Sequence, residues 1–185
     1  MFWLKDGANA KLFCNYYEGR QVKSVSLVTL MWPKGKQLLE THSDAVYCDS
    51  LWSVGGDGNF GLTIVVMDNQ GCPRLAAVAI ATHERTETWS TFFNWVKECV
   101  PNFKPRCIHT DGASYIKTAF TEGTQLTSTQ HINCWWHEKK TVRRKWGPFG
   151  INAQALTTVY PDSMEELEAK RNELVEKIQR LRKGP

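Results

Sequence analysis

The sequence predicts an α/β fold built on a mixed five-stranded sheet. Three observations carry that expectation. Apolar runs at 45–52, 60–67 and 74–82 follow one another with short turns, Gly55-Gly-Asp-Gly-Asn and Asp68-Asn-Gln-Gly, between them. That is the pattern of an antiparallel meander. Two further strands, 106–110 and 125–132, are each entered through a segment of helical spacing, which suits strands added parallel to the first. The strand runs are almost continuously apolar, so helices are expected on both faces.

The elements follow in order. Residues 2–36 give no clear organisation beyond a β-branched, partly alternating stretch from Val22 to Trp32, a candidate strand that Pro33-Lys-Gly-Lys breaks. Gln37 to Thr41 reads as the end of a short helix. Ala45 to Cys48 then delivers an acidic residue, Asp49. After the meander, Trp89, Phe92, Phe93, Val96, Cys99 and Val100 fall on one helix face, with Thr86 or Thr88 as cap and Pro101 as stop. Arg106 to Thr110 delivers Asp111, and Gly112 behind it can turn the chain. Tyr115, Ile116, Ala119 and Phe120 form the stripe of the next helix, which ends near Gly123. Gln125 to Ile132 is a polar edge strand. A basic helix starts at Cys134 and is cut off by Gly147-Pro148.

From Ser163 the composition changes. Ser163 and Glu166 fit a capping box. Leu167, Leu174, Ile178 and Leu181 are spaced about 3.5 apart, with Arg171 interrupting the seam. Glu166/Lys170, Glu173/Lys177 and Glu176/Arg180 are helix-favouring pairs. Three regions result: a lead-in at 1–36, a core at 37–147, and a linker with a C-terminal helix at 148–185, read as the start of a helical insertion.

The bulk properties narrow the class. The 185 residues suit one domain, and 42% apolar content with eight Trp suffices for a core. No apolar run approaches a membrane span, and Met1-Phe-Trp-Leu-Lys-Asp-Gly has no signal-peptide character. Cysteines 14, 48, 72, 99, 107 and 134 show no framework spacing, which favours reduced thiols in an intracellular protein. The net charge of +4 is mild.

Two strands that each deliver one aspartate can set two carboxylates side by side. Mg²⁺ or Mn²⁺ takes such hard oxygen ligands, and a pair of ions about 4 Å apart can activate a nucleophile and stabilise a leaving oxygen in phosphoryl chemistry. Asp49 and Asp111 are therefore the candidate catalytic and metal-binding residues, with Asp49 bridging both ions and Asp111 holding one. The plainer reading is that aspartates at strand ends cap turns. Asp44 is a rival that lies at the wrong end of its strand. Glu84, just past the third strand of the meander, can approach the pair or merely favour a helix N-terminus.

Beyond these residues the chain resembles the transposase domain of Mutator-like elements, DDE enzymes of ribonuclease-H-like fold, over about 37–145. Leu38 to Trp52 is similar to the family's first-aspartate strand, with its aromatic one position late at Trp52. Leu62 to Gly71 is similar to the second strand. Ala79 to Trp95, with Glu84, Trp89 and Trp95, is similar to the third strand and following helix. Ile108-His-Thr-Asp-Gly-Ala-Ser-Tyr resembles the second-aspartate motif, and His131-Ile-Asn-Cys-Trp-Trp-His the motif after the fifth strand. The resemblance implies a nuclear enzyme that cleaves DNA at transposon ends with two Mg²⁺ or Mn²⁺ ions and transfers the strand to target DNA, with self-association open. It also implies a third acidic residue on a helix beyond the insertion. Within this chain Glu165, Glu166, Glu168, Glu173 and Glu176 are available, and none stands out.

Two other features have candidate roles. Cys134 and His137, three apart on one helix face, make half of a zinc site, which His131, Cys107 or His109 could complete; a packed Cys and an interfacial His explain the same residues. Lys139, Lys140, Arg143, Arg144 and Lys145, flanked by Trp135, Trp136 and Trp146, are candidate DNA contacts or a solvated helix face. The alternatives to a transposase core are a domesticated or truncated, inactive DNA-binding protein, and a ribonuclease-H-like nuclease acting on RNA or hybrids.

Overall fold

Ala45 to Val54 forms a ten-residue strand, β3, that runs through the middle of a seven-stranded sheet. In chain order the elements are β1 (Asn9–Tyr16), β2 (Lys23–Met31), α1 (Pro33–His42), β3, β4 (Asn59–Met67), β5 (Pro73–Ala81), α2 (Thr86–Cys99), β6 (Cys107–Thr110), α3 (Ser114–Thr121), β7 (Gln130–Asn133) and α4 (Trp135–Trp146). This computed structural model describes residues 8–16, 23–55, 58–124 and 126–146, and with them Asn172, Glu176, Gln179 and Arg180. The chain divides into two compact units, Met1–Cys134 and Trp135–Pro185.

The sheet order is β1-β2-β5-β4-β3-β6-β7. β3, β4 and β5 form the expected antiparallel meander, and β6 and β7 add parallel to β3 in turn. The strand count corrects the expectation of five. β1 and β2 form a hairpin-like pair, and β2 joins the free edge of β5, with Leu27 opposite Ala81 and Leu30 opposite Val78. Pro33 does end β2, but it does so by opening α1, where its missing N–H leaves no bond unmade. The cap of α2 also differs: Arg85 occupies it in extended conformation, and no Thr side chain caps the helix.

Cover on both faces is a second expectation that needs correcting. Following the register across strands, Leu27, Met31, Val46, Cys48, Leu62, Ile64, Val66, Ala77, Ala79, Ala81 and Ile108 share one face, and all are buried. The opposite face carries Leu12, Leu51, Leu75 and Ile80, which remain 41–62% exposed among the described residues. The alternation in β5 explains the error. Its large residues lie on the open face and its alanines on the covered one, so an unbroken apolar run hides a two-sided strand. Alanine suits the covered face because α1 comes very close: a Cβ on Gly35 would lie 2.1 Å from the Ala76 carbonyl oxygen.

The core is heavily aromatic. Trp89, Phe92, Phe93 and Trp95 of α2 are buried, and Phe120 of α3 meets Phe93 edge-on at 5.0 Å. Burying each such ring stabilises by about 1.5–3 kcal/mol, with about 0.5–1.5 kcal/mol more for a favourable ring pair. This cluster fixes α3, and with it the segment that follows Asp111. In the second unit, Glu176 and Arg180 form the expected i,i+4 ion pair at 3.2 Å. The Ser163 capping box, the seam through Leu167 and Leu181, and the other two pairs lie outside the described residues.

Candidate functional site

Asp49 does not end its strand. β3 continues five residues beyond it to Val54, and Asp49 pairs with Thr63 of β4. Its side chain is exposed. By alternation it lies on the open face, between Tyr47 and Leu51. The Oδ1 atom accepts the Ser50 backbone N–H at 2.8 Å.

β6 is short, and its last registered partnership with β3 is His109 opposite Tyr47. The two rings stack at a centroid distance of 4.5 Å. Two positions further along each chain stand Asp111 and Asp49. Extended in register, the parallel pair sets the two carboxylates on neighbouring strands. Asp111 itself begins the turn out of the sheet. Gly112 takes φ 83°, the left-handed region that glycine enters without steric cost. Thr110 Oγ1 accepts the Gly112 N–H at 3.3 Å, and Asp111 Oδ1 accepts the Ala113 N–H at 2.9 Å. α3 then starts at Ser114.

A further carboxylate lies just past β5. Glu84, half-buried in the segment between β5 and α2, accepts the Trp89 Nε1–H at 3.4 Å. The charge of Glu84 also acts on the Tyr115 hydroxyl of α3. Burial first, then the charges of Glu84 and Asp111 and, more weakly, of Asp49, push the Tyr115 phenol far above its ordinary range. One hydroxyl therefore sits in the field of all three acids. Glu84 is already a candidate in the sequence, from its place just past the third strand of the meander.

The surroundings are tuned in the same direction. Burial and the negative charge of Asp49 push the Cys48 thiol well up, so it stays protonated. His131 is bonded to Thr110 through Nε2 and Oγ1 at 2.7 Å. Burial first, then Lys117, holds its pKa below the usual imidazole value, with Asp111 opposing and His109 adding to the fall. A cleft lined by Leu12, Phe13, Leu27, His83, Arg85 and Thr88 includes the neighbours of Glu84 but none of the three carboxylates.

Compared with protein-family models and with curated proteins, the sequence matches none.

The other predicted site residues fall as follows. Cys134 is a half-buried free thiol. His137 is half-buried, and its Nδ1 is buried with no hydrogen-bond partner among the described residues. Cys107 and His109 approach each other at 3.9 Å. Among the described residues no group of three or more His, Cys, Asp or Glu side chains is close enough to hold a metal ion. In the second unit, Lys140, Arg143 and Arg144 are exposed and Lys139 is half-buried. The Lys140 ammonium lies 5.1 Å from the centroid of the exposed Trp136 ring, a cation–π pair worth about 0.5–1 kcal/mol at an exposed site. The Lys145 side chain lies outside the described residues. No helix among the described residues is long and apolar enough to cross a membrane.

Proposed function

We propose that the chain is a ribonuclease-H-like catalytic core of the Mutator-like transposase type, which cleaves DNA phosphodiesters with divalent metal ions. The observation that carries the reading is the parallel pairing of β3 and β6, whose last registered pair, Tyr47 and His109, lies two residues before Asp49 and Asp111. The donor chemistry fits a hard cation. Each aspartate spends one oxygen on a local backbone N–H, and the second oxygen of each makes no hydrogen bond among the described residues. Asp49 and Asp111 would hold Mg²⁺ or Mn²⁺, which supplies a polarised phosphoryl oxygen and an activated water or 3′-hydroxyl. The chain's own contribution is placement. The meander holds Asp49, the Thr110–Gly112 turn carries Asp111, and the Trp89 indole donates to Glu84. The basic face of α4 supplies phosphate contacts for DNA.

Two observations favour other readings. The absence of a three-ligand group among the described residues favours a catalytically silent DNA-binding relative. The charges of Glu84, Asp111 and Asp49, which all act on Tyr115, favour a nuclease for RNA or RNA–DNA hybrids.

The test is Mn²⁺-dependent cleavage of end-labelled duplex DNA, hybrid and RNA by the 185-residue chain and by Asp111→Asn. The proposal expects cleavage of DNA, its loss in the variant, and unchanged DNA affinity. Undiminished cleavage by Asp111→Asn would overturn the mechanism. DNA binding without cleavage or Mn²⁺ uptake would establish the silent reading, and cleavage confined to the hybrid or RNA the third.

A further inference from the structure

The turn that carries Asp111 is held from the edge strand β7 by a single hydroxyl. Thr110, the last residue of β6, is a polar side chain only 1% exposed. Its Oγ1 accepts the Gly112 N–H at 3.3 Å and lies 2.7 Å from Nε2 of His131. The register explains the second contact. His131 of β7 stands opposite Ile108, two residues before Thr110, so both side chains lie on the covered face of the sheet. The main chain grips the same residue, since the Thr110 carbonyl accepts the Cys134 N–H.

The chemistry of these groups places the hydrogens. A hydroxyl has one hydrogen to give and two lone pairs to offer. The Gly112 N–H takes one lone pair. The hydrogen needs an acceptor as well, because a buried donor left unpaired costs about 1–3 kcal/mol. Among the described residues the hydroxyl has one further partner, His131 Nε2. That nitrogen is therefore bare, and the ring hydrogen sits on Nδ1. Burial, Lys117 and His109 act in the same direction by favouring the neutral ring, with Asp111 opposing. The result is a directed chain in which each bond polarises the next. His131 fixes the rotation of the Thr110 hydroxyl, and the fixed hydroxyl holds Gly112 at φ 83°. Asp111 lies between these two tethered residues, and its Oδ1 accepts the Ala113 N–H at 2.9 Å.

We infer that His131 is a positioning residue for Asp111: acting through the Thr110 hydroxyl, it sets the turn that presents the second carboxylate. This rests on the proposed function and adds a residue of the edge strand to the site. His131 itself touches neither metal nor DNA. Partners that orient a metal ligand matter nearly as much as the ligand, and their loss typically weakens metal binding about 10- to 100-fold.

The test uses the 185-residue chain and reads the tether with and without metal. In metal-free protein, nitrogen NMR of isotopically labelled histidine should show His131 as the Nδ1–H tautomer, with His131→Ala identifying the resonance. An Nε2–H tautomer or a doubly protonated ring at neutral pH would overturn the inference. Calorimetry then gives Mn²⁺ affinity for the unaltered chain, Thr110→Val, Thr110→Ser and His131→Ala, with Asp111→Asn as the blank and melting temperature as the check on folding. Thr110→Val keeps the shape of the side chain and loses the hydroxyl. It should weaken Mn²⁺ binding about 10- to 100-fold and His131→Ala about as much, whereas Thr110→Ser should stay within about threefold. Unweakened binding by Thr110→Val or His131→Ala sinks the inference. So does a Thr110→Ser as weak as Thr110→Val, since the methyl group and not the hydroxyl would then matter. Should Thr110→Val fail to fold, His131→Ala and the tautomer decide. Hydrogen exchange without metal separates this claim from the catalytic one. Thr110→Val should speed exchange of the Gly112 amide about tenfold and leave the β3 amides unchanged. If the unaltered chain and Asp111→Asn take up Mn²⁺ equally, the metal reading fails, and the tether stands or falls on the tautomer and the Gly112 exchange. Asp111-dependent Mn²⁺ binding with unchanged Gly112 exchange sinks the tether alone.

Discussion

Glu84, in the segment between β5 and α2, acts by its negative charge on the hydroxyl of Tyr115, 31 positions later in α3, and Asp111 and Asp49 add to the same effect. The three carboxylates come from three separate parts of the fold: the end of the meander, the turn before α3 and β3.

Removing that hydroxyl should alter the surroundings of Glu84 without unfolding the chain. Tyr115→Phe keeps the half-buried ring and loses only its polar tip. The expected outcome is a melting temperature lower by only a few degrees and Mn²⁺-dependent cleavage slowed about tenfold, with DNA affinity unchanged. Single-turnover kinetics on duplex DNA check this. A cleavage rate equal to that of the unaltered protein would show that the hydroxyl has no part in the site.

Gly35→Ala should destabilise the fold, against the ordinary preference of a helix for alanine. The propensity gain is about 1 kcal/mol. Against it stands a Cβ at 2.1 Å from the Ala76 carbonyl oxygen, a backbone atom held in β5. Pushing α1 off the sheet should cost about 1–3 kcal/mol net, near 5 °C in melting temperature for a chain of this size. Thermal denaturation decides the matter, and a rise in melting temperature would contradict the close approach.

The basic helix makes its own prediction. Arg143 and Arg144 are both exposed, so replacing both with Glu should leave the melting temperature within a degree or two. If they touch phosphates, DNA affinity falls at low salt, and the slope of log K against log salt becomes shallower by about 2. A titration at four ionic strengths measures it. An unchanged slope would make α4 a solvated face and nothing more.

Much of the sheet was legible in the sequence, and the reasons for the gaps are physical. The meander and α2 were readable because Ile64, Val66, Phe92 and Val96 bury in regular steps. β1 was not, since Asn9, Lys11 and Asn15 interrupt its apolar residues. The end of β3 was misplaced because Ser50 and Ser53 are polar and Leu51 and Trp52 lie exposed. Burial had ceased while the ladder to β4 continued. Asp49 and Asp111 could be picked out as strand-delivered carboxylates and Glu84 by its place just past β5, whereas the stacking of Tyr47 on His109 depends on a pairing that no local pattern encodes.

The two aspartates are anchored very unequally. β3 is laced to β4 through eight registered positions, but β6 meets β3 through only three and β7 through four. Such a margin opens at lower free energy than the meander does. A partial opening would carry Asp111 away while Asp49 stayed in place, so the integrity of the site is decided at the frailest seam of the sheet. Anything that bridges the two carboxylates then works as a clasp on that seam, and its binding energy is felt as added rigidity of β6 and β7.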